Sequence, residues 1–389
     1  ILFVVPAGAK VFMAVNDAVV VVLDSASAGS EFVFGRLALP PGQTAEDGTE
    51  SLGFILAFQA FPTIIFFSAL VAILYYVRIM PLVIRGFAFV FTKLMRISGA
   101  ESVVAASNIF VGIESTLTVK PYLGKMTQSE LCTILTAGMA TVASNVLALY
   151  VFSLQDVFPN IAGHLVSASL LSAPAALAMS KIVFPESGEP VTLGVHVKPF
   201  YEREDSLFEA IINGSMAGVR MIVGIAALLI AVLGLVELVD VLLGFVGGKV
   251  NAAAGLQMEW SLKALCGYAF YPFTLLLGIA KADAAAVSRM IGERLVVSEV
   301  VAYRDLATAL KEGTLQEERS AVVATYALCG FAHVASMAIF TGSVCGLAPE
   351  KSRDVAKVAV RALIAATLAC LMTGCVAGVF YRSGSILLG

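Results

Sequence analysis

Charged residues are scarce along this chain, and long apolar runs separate them. Of its 389 residues, 14% are charged and 59% are hydrophobic, and the mean hydropathy is +0.91. A soluble domain carries about 25% charged residues, so this chain needs an apolar solvent around it. Because only helices and closed barrels satisfy their backbone groups inside a bilayer, runs of about 20 apolar residues predict a polytopic all-α membrane protein. The net charge of −3 gives no reason to expect nucleic-acid binding.

The apolar runs divide the chain into spans, interfacial helices and one long polar loop. Residues 1–23 resemble the end of one span followed by an interfacial helix, and 131–154 and 321–345 are continuous spans. Because the chain starts at Ile1 rather than Met, we expect the number of spans to be a minimum. The predicted regions are scaffold spans and interfacial helices at 1–97, a first hairpin with its following spans at 98–184, a polar loop with an interfacial helix at 185–214, a scaffold span at 215–257, a second hairpin at 258–303, and an interfacial helix with the last two spans at 304–389.

Two segments are interrupted by polar residues. Ser98–Lys125 breaks at Gly112 and continues with Glu114, and each of its halves falls short of the roughly 20 residues that a spanning helix needs. Glu259–Tyr303 repeats this pattern, with an apolar run, a polar break near Asp283 and a second short half. The segments therefore predict re-entrant helical hairpins. A pair of them in corresponding positions predicts two related halves, with a transporter binding site near the bilayer midplane.

Polar side chains at membrane depth mark candidate functional positions, because burying them there is costly. Glu114 and Asp283 lie at the two breaks, and His333 lies in an otherwise apolar run. Asn108 and Thr141 are neutral polar residues in apolar helices. Carboxylates accept hydrogen bonds from solute hydroxyl groups, and oxygens at broken helices are the ligands that a hard cation prefers. Each charged candidate has a plainer alternative: Glu114 is a solvated turn residue, Asp283 pairs with a neighbouring lysine, and His333 is a packing histidine.

Five short runs resemble motifs of the concentrative nucleoside transporter family. In the family's order they are Asn108-Ile-Phe-Val-Gly112 (NIFVG), Lys125-Met-Thr-Gln-Ser-Glu130 (KMTxSE), Ser298-Glu-Val-Val-Ala-Tyr303 (NEFVAY), Ala327-Leu-Cys-Gly-Phe-Ala332 (ALCGFA) and Gly346-Leu-Ala-Pro349 (GxLAP). The similarity extends over nearly the whole chain. It implies a helical bundle with two opposed re-entrant hairpins and interfacial amphipathic helices, assembled as a homotrimer in the inner (plasma) membrane. It also implies symport into the cell, driven by a sodium or proton gradient and without an organic cofactor.

The resemblance also assigns site residues. The coupling ion, expected to be Na⁺, would bind the side chains of Asn108 and Thr141 and the carbonyl groups of Val111 and Val142. The solute, a nucleoside or a nucleoside-like polar molecule, would contact a base side and a ribose side. The base side would comprise Glu114, Ser115 and Val146, and the ribose side Asp283, Phe331, His333 and Ser336.

Three positions on the solute side depart from the family's pattern. The first tip reads Gly112-Ile-Glu-Ser, one residue shorter than the family's GQTE or GQSE, so an amide is replaced by Ile113 or deleted. Asp283 takes the position of a glutamate in the family's pattern, and His333 takes the position of an asparagine. Because the cation positions are retained, these changes predict an altered choice of solute on a conserved coupling mechanism.

Two further functions stay open. A proton could replace Na⁺, with His333 next to Asp283 or Glu114 as its carrier, because histidines and buried carboxylates titrate near neutral pH. A channel is the other alternative, in which the broken hairpins line a pore. The sequence contains no HExxH, GxSxG or loop DxD pattern, so we expect no enzyme activity.

Overall fold

The computed structural model describes residues 6–44, 48, 50–142, 144–155, 157–201 and 204–381, and it is predominantly helical. In chain order the α-helices of these residues are α1 (Pro6–Phe34), α2 (Leu56–Gln59), α3 (Phe61–Tyr76), α4 (Ile79–Met95), α5 (Gly99–Asn108), α6 (Lys120–Leu123), α7 (Gln128–Ala140), α8 (Ser144–Leu154), α9 (Ile161–Val183), α10 (Leu207–Ala254), α11 (Leu262–Leu276), α12 (Lys281–Val296), α13 (Glu299–Lys311), α14 (Glu318–Leu328), α15 (Val334–Leu347) and α16 (Ser352–Phe380). Within the described ranges, β-type pairing is limited to isolated bridges. The predicted all-α class is confirmed.

Five helical stretches in the described part of the chain are long and apolar enough to cross a bilayer. They are Lys10–Ala38, Leu56–Tyr76, Ile161–Val183, Leu207–Ala254 and Pro349–Phe380. Their number and length confirm a multi-pass integral membrane protein. The first stretch includes most of α1, which continues unbroken to Phe34, so the interfacial helix predicted within residues 1–23 is part of a candidate span.

The longest helix is α10, which packs against α3. Its 48 residues extend for about 72 Å at 1.5 Å per residue. Ser206 caps its start, and Gly255, with φ +64°, ends it. Since no proline lies between them, the helix is continuous, and the predicted boundary between residues 214 and 215 falls inside it. Glycines bring α10 close to α3: a Cβ on Gly218 would lie 2.7 Å from the Cα of Ile65.

One order of elements occurs twice, on either side of α10. A helix (α4, then α11) precedes a two-part hairpin, a broken span (α7–α8, then α14–α15) and an unbroken span (α9, then α16). The unbroken spans retain a sequence match between Ala168-Ser-Leu-Leu-Ser172 and Ala369-Cys-Leu-Met-Thr373. The last residues of the two runs meet, with Ser172 Oγ 3.4 Å from Thr373 Oγ1. Equivalent residues of the two halves therefore contact each other between α9 and α16.

Both spans predicted as continuous, at 131–154 and 321–345, are broken near their middle. After α7, Thr141 adopts an extended conformation (φ −103°, ψ 165°). After α14, Gly330 has φ +125°, which L-residues with a side chain rarely adopt. A Cβ on Gly330 would lie only 2.6 Å from the carbonyl oxygen of Ala140. The two breaks therefore touch, and hydropathy misses them because the residues around both are mostly apolar.

The sequence located the first hairpin more accurately than the second. In the first, α5 reaches the tip and a 3₁₀ segment, Ile113–Val119, returns from it. In the second, the polar residues Lys281 and Asp283 begin α12 and do not form a tip. The hairpin equivalent to the first consists of α12 and α13, joined at Val297 and Ser298. That the hairpins re-enter the bilayer from opposite sides stays a prediction.

Capping residues fix the helices that lead to the first tip. Ser98 and Thr127 each accept a hydrogen bond from the backbone N–H of a glutamate three residues later, Glu101 and Glu130. The glutamates accept in turn from the N–H groups of the caps, which satisfies donors that the helix leaves unpaired. Glu101 also forms an ion pair of 2.5 Å with Lys181 of α9. The start of α5 is therefore fixed against α9.

Candidate functional site

A cavity of about 140 Å³ lies where the two hairpin tips and the two broken spans face α10. Five predicted or adjoining positions line it: Gly112, Val146, Phe331, His333 and Ser336. The remaining lining residues are Ser298, Glu299 and Val300 of the second hairpin, Ile339 and Phe340 of α15, and Met221, Ile225, Leu228 and Leu229 of α10. The cavity thus has a polar side formed by the repeated halves and an apolar wall formed by α10.

His333 organises the polar side of the cavity. It is the N-cap of α15, and its Nδ1 accepts a hydrogen bond from the backbone N–H of Ser336 at 3.2 Å. Its Nε2 lies 2.6 Å from Ser336 Oγ and 3.1 Å from Glu299 Oε2. Because Nδ1 acts as an acceptor, the neutral ring carries its proton on Nε2. The ring is buried and both of its nitrogens have partners, so the plainer role, a satisfied packing histidine, stays an alternative to solute binding.

Glu299 is the carboxylate of the cavity, and the sequence analysis did not select it. Its Oε1 accepts a hydrogen bond of 2.6 Å from the Tyr150 hydroxyl group of α8. Its Oε2 is buried and lies 3.1 Å from Nε2 of His333. Because a carboxylate oxygen has more than one lone pair, Oε2 can accept a hydrogen bond from a solute hydroxyl group beside this contact. The signal was present in the run 298–303, which was used for the resemblance and not examined for chemistry.

Asp283, predicted for the ribose side, does not line the cavity. It is buried, and its carboxylate accepts hydrogen bonds from the backbone N–H groups of Gln316 at 2.8 Å and Glu317 at 3.1 Å. These donors directly precede α14, so Asp283 acts as a cap for that helix. The predicted alternative, an ion pair with Lys281, is not among the ion pairs of the described residues.

The first tip supplies Gly112 to the cavity, whereas its polar residues point elsewhere. Glu114 is half-buried and lies close enough to Tyr75 of α3 for an electrostatic interaction. Ser115 is buried and donates a hydrogen bond of 2.9 Å to Oδ1 of Asn108. The side chain of Ile113, the residue that departs from the family's pattern, lies outside the described residues. The predicted base-side contacts of Glu114 and Ser115 stay predictions.

The four predicted cation ligands lie at the ends of α5 and α7, and the hydroxyl group of one serine bridges these two ends. Ser169 of α9 donates to the carbonyl oxygen of Ile109 at 3.1 Å and to that of Val142 at 3.3 Å. The first carbonyl belongs to the tip after α5, and the second to the break after α7. The C-termini of both helices therefore converge here, and each presents about half a negative charge.

The donor set at these breaks suits a sodium ion. Asn108 is fully buried, and its Nδ2 has no hydrogen-bond partner among the described residues. Exchanging the amide oxygen and nitrogen, which is a matter of assignment, would let Nδ2 donate to Ser115 and leave Oδ1 free. That oxygen, the Thr141 hydroxyl group and the carbonyl groups of Val111 and Val142 are the hard neutral ligands that a monovalent cation prefers.

A second, more polar cavity of about 440 Å³ lies at the opposite ends of α8 and α13. Asp24 and Glu31 of α1, Gln155 after α8, and Arg304 and Lys311 of α13 are among its lining residues. The helices that carry Val146 and Glu299 thus extend from the small cavity to a charged one.

The arrangement defines a membrane transporter: two broken spans and two hairpin tips enclose a cavity that carries Glu299, His333 and Ser336 on one side and is closed by a long apolar helix on the other. Comparisons with known proteins specify which kind. Residues 164–378 match the profile of the Na⁺-dependent nucleoside transporter C-terminus, and residues 57–156 match a nucleoside recognition (gate) profile. The chain therefore belongs to the concentrative nucleoside transporter family, whose members are transporters and not enzymes.

Individual relatives agree with this assignment. Solute carrier family 28 member 3 of Mus musculus is 38% identical over 365 residues, which cover 90% of this chain and 49% of that protein. The chain thus spans about half the length of this relative. A Haemophilus influenzae protein described only as a transporter is 36% identical over 388 residues, covering 99% of this chain and 88% of its own length. The solved structure of CNTnw in an inward-facing, substrate-bound state matches with a TM-score of 0.84 at 30% identity, covering 97% of this chain and 86% of that one.

Proposed function

We propose that this protein is a sodium-coupled symporter that carries a nucleoside or a nucleoside-like polar solute into the cell. The observation that carries the proposal is that two sites adjoin each other. The predicted cation ligands lie at the breaks after α5 and α7. The cavity is lined by Gly112 at the tip after α5, by Val146 in α8, and by Phe331 and His333 after α14. The name of the matching profile, which refers to Na⁺-dependent nucleoside transport, supports this assignment.

The cavity chemistry favours a solute that has hydroxyl groups and an apolar face. Glu299 Oε2 and Ser336 Oγ can bond to hydroxyl groups, and Phe331 can pack against a planar ring. The cavity volume of about 140 Å³ is below the about 300 Å³ at the small end of ligand pockets. The site must therefore widen to accept a nucleoside.

Widening requires the repeated halves to move relative to α10. The wall of α10 contributes only apolar side chains, among them Met221 and Ile225, so it forms no directional bonds that would hold the polar side in place. Such a wall permits sliding, while the tips and breaks keep their internal hydrogen bonds. The homotrimer and the direction of transport rest on the family resemblance and stay predictions.

Uptake of labelled uridine and adenosine into proteoliposomes tests the proposal. An inward sodium gradient should drive accumulation of at least one of them above equilibrium, and a potassium gradient should not. Folded protein that accumulates neither nucleoside under any gradient would overturn the nucleoside assignment. Equilibration without accumulation would instead indicate a channel.

Proton coupling is the second candidate, and the 3.1 Å contact between His333 and Glu299 favours it. The contact replaces the predicted pairing of His333 with Asp283 or Glu114. Protonation of Nδ1 would remove the acceptor for the Ser336 N–H group and loosen the start of α15, which links a proton to the cavity. Accumulation of the solute driven by an inward pH gradient in the absence of Na⁺ would support proton coupling. Accumulation that is the same with and without a pH gradient would exclude it.

A further inference from the structure

Arg294 is a fully buried arginine in the last turn of α12, and its charge has no carboxylate partner. Its Nη1 donates a hydrogen bond of 2.6 Å to the carbonyl oxygen of Ala327 in the last turn of α14. Its Nε and Nη2 have no hydrogen-bond partner among the described residues. None of the ion pairs within the described ranges includes it. A lone buried charge of this kind is costly unless something compensates it.

Two helix ends provide the compensation. The guanidinium group lies near the C-terminus of its own helix, α12, and bonds to the C-terminal turn of α14. Each helix C-terminus carries about half a negative charge, so the pair offers about one. This matches the single positive charge of Arg294 and leaves the region close to neutral.

The first half of the molecule has the same pair of helix ends without an arginine. There the C-termini of α5 and α7 converge. Asn108 is the last residue of α5, and Arg294 lies in the last turn of α12, which ends at Val296. Asn108 is neutral, so about one negative charge is left for a mobile cation. This is the location of the proposed sodium site.

The third helix of each half extends the correspondence. In the first half Ser169 of α9 bonds to the carbonyl groups at both breaks. Its sequence equivalent on α16 is Cys370, whose thiol lies beside the Arg294 guanidinium group and 3.8 Å from the carbonyl oxygen of Ala140. In both halves, therefore, a side chain of the unbroken span lies where the hairpin and the broken span meet.

We propose that the Arg294 guanidinium group is a tethered cation, which occupies in the second half the position that a sodium ion takes in the first. This inference rests on the proposed sodium site. It follows that the second half binds no sodium ion, and that Na⁺ activates transport with a coefficient near one. Arg294 acts as a positioning residue, because it holds the end of α14, and with it the turn that carries His333, without touching the solute.

The test compares Arg294→Gln, which removes the charge, with Arg294→Lys, which retains it. Arg319→Gln is the matched control, because Arg319 also donates to backbone carbonyl groups, those of Gly278 and Gly378, but is partly exposed. For each variant, the thermal unfolding midpoint in detergent is measured in NaCl and in choline chloride. The Na⁺ dependence of uptake is measured in proteoliposomes.

We expect the Lys variant and the Arg319 control to keep a Na⁺ coefficient near one. The Gln variant should unfold at a lower temperature in choline, regain stability only in Na⁺, and show a coefficient that rises towards two. A Gln variant equal to wild type in both assays would overturn the proposal. So would Gln and Lys variants that are equally impaired and gain nothing from Na⁺, because arginine would then serve by shape alone.

Two other outcomes are also decisive. If the Gln variant cannot be purified, a Lys variant with wild-type stability and coefficient supports the proposal, and a Lys variant that fails equally overturns it. If the wild-type protein shows no response to Na⁺, the proposed sodium coupling is wrong. The need for a charge at position 294 is then still tested by comparing the Lys and Gln variants in choline.

Discussion

Replacing Glu299 with glutamine tests which carboxylate binds the solute. The carboxylate of Glu299 is held by the Tyr150 hydroxyl group at 2.6 Å, and its Oε2 is buried beside Nε2 of His333 at 3.1 Å. A solute hydroxyl group that donates to this oxygen would form a hydrogen bond to a charged acceptor, which contributes about 1.5–3 kcal/mol, whereas the neutral amide oxygen of glutamine would contribute about 0.5–1.5 kcal/mol. At 1.4 kcal/mol per factor of ten, the difference of about 1–1.5 kcal/mol should raise the KM for the solute by roughly 5- to 12-fold.

The assay is the concentration dependence of sodium-driven uptake, with Asp283→Asn as the matched carboxylate control. Asp283 caps α14 and does not reach the cavity. Its amide variant should therefore lower the thermal unfolding midpoint and leave KM within about threefold of wild type, well under the effect of one lost hydrogen bond. An unchanged KM in Glu299→Gln, or an equal rise in Asp283→Asn, would refute the assignment of the solute carboxylate to Glu299.

Three further substitutions test the remaining parts of the site. Asn108→Ala should raise the Na⁺ concentration for half-maximal uptake by about tenfold or more, because it removes a cation ligand; an unchanged Na⁺ dependence would contradict the proposed site. Gly330→Ala should lower stability by about 1–3 kcal/mol or more, measured by thermal unfolding, because a Cβ would meet the Ala140 carbonyl oxygen at 2.6 Å while φ stays at +125°. His333→Asn keeps an N-cap side chain for α15 and removes the imidazole, so uptake should persist and vary less between pH 5.5 and 8 than in wild type; a stronger pH dependence would exclude His333 as the titrating group.

The sequence predicted the helical class and the first tip for clear physical reasons. A chain with few charged residues and long apolar runs must satisfy its backbone groups as helices inside a bilayer. The first tip was predictable because Gly112 and Glu114 interrupt one of these apolar runs. The predicted position of the second tip is wrong because polar residues also occur at the start of a helix. Lys281 and Asp283 begin α12, whereas the tip at Val297 and Ser298 lies in the run 295–303, where apolar residues flank Ser298 and Glu299.

The breaks in the spans left even less trace in the sequence. Thr141 and Gly330 interrupt their helices through backbone conformation, while the hydropathy around them remains that of a span. The run 298–303 contains Glu299, but its pairing with His333 does not follow from the sequence. The two residues are distant along the chain, and the fold brings the start of α13 to the start of α15.

Contact between the two breaks offers a physical route for coupling the proposed cation to the solute. Gly330 lies against the carbonyl oxygen of Ala140, directly before Thr141, and starts the turn that positions Phe331 and His333 in the cavity. A cation bound by Thr141 and Val142 would fix the orientation of the peptide groups at the first break. Gly330 packs so closely against the Ala140 carbonyl group that even a Cβ would not fit between them. A shift of the first break towards Gly330 would therefore displace the second break as well. Sodium binding would then preorganise the ring of His333, and the solute would meet a site whose polar groups are already in place.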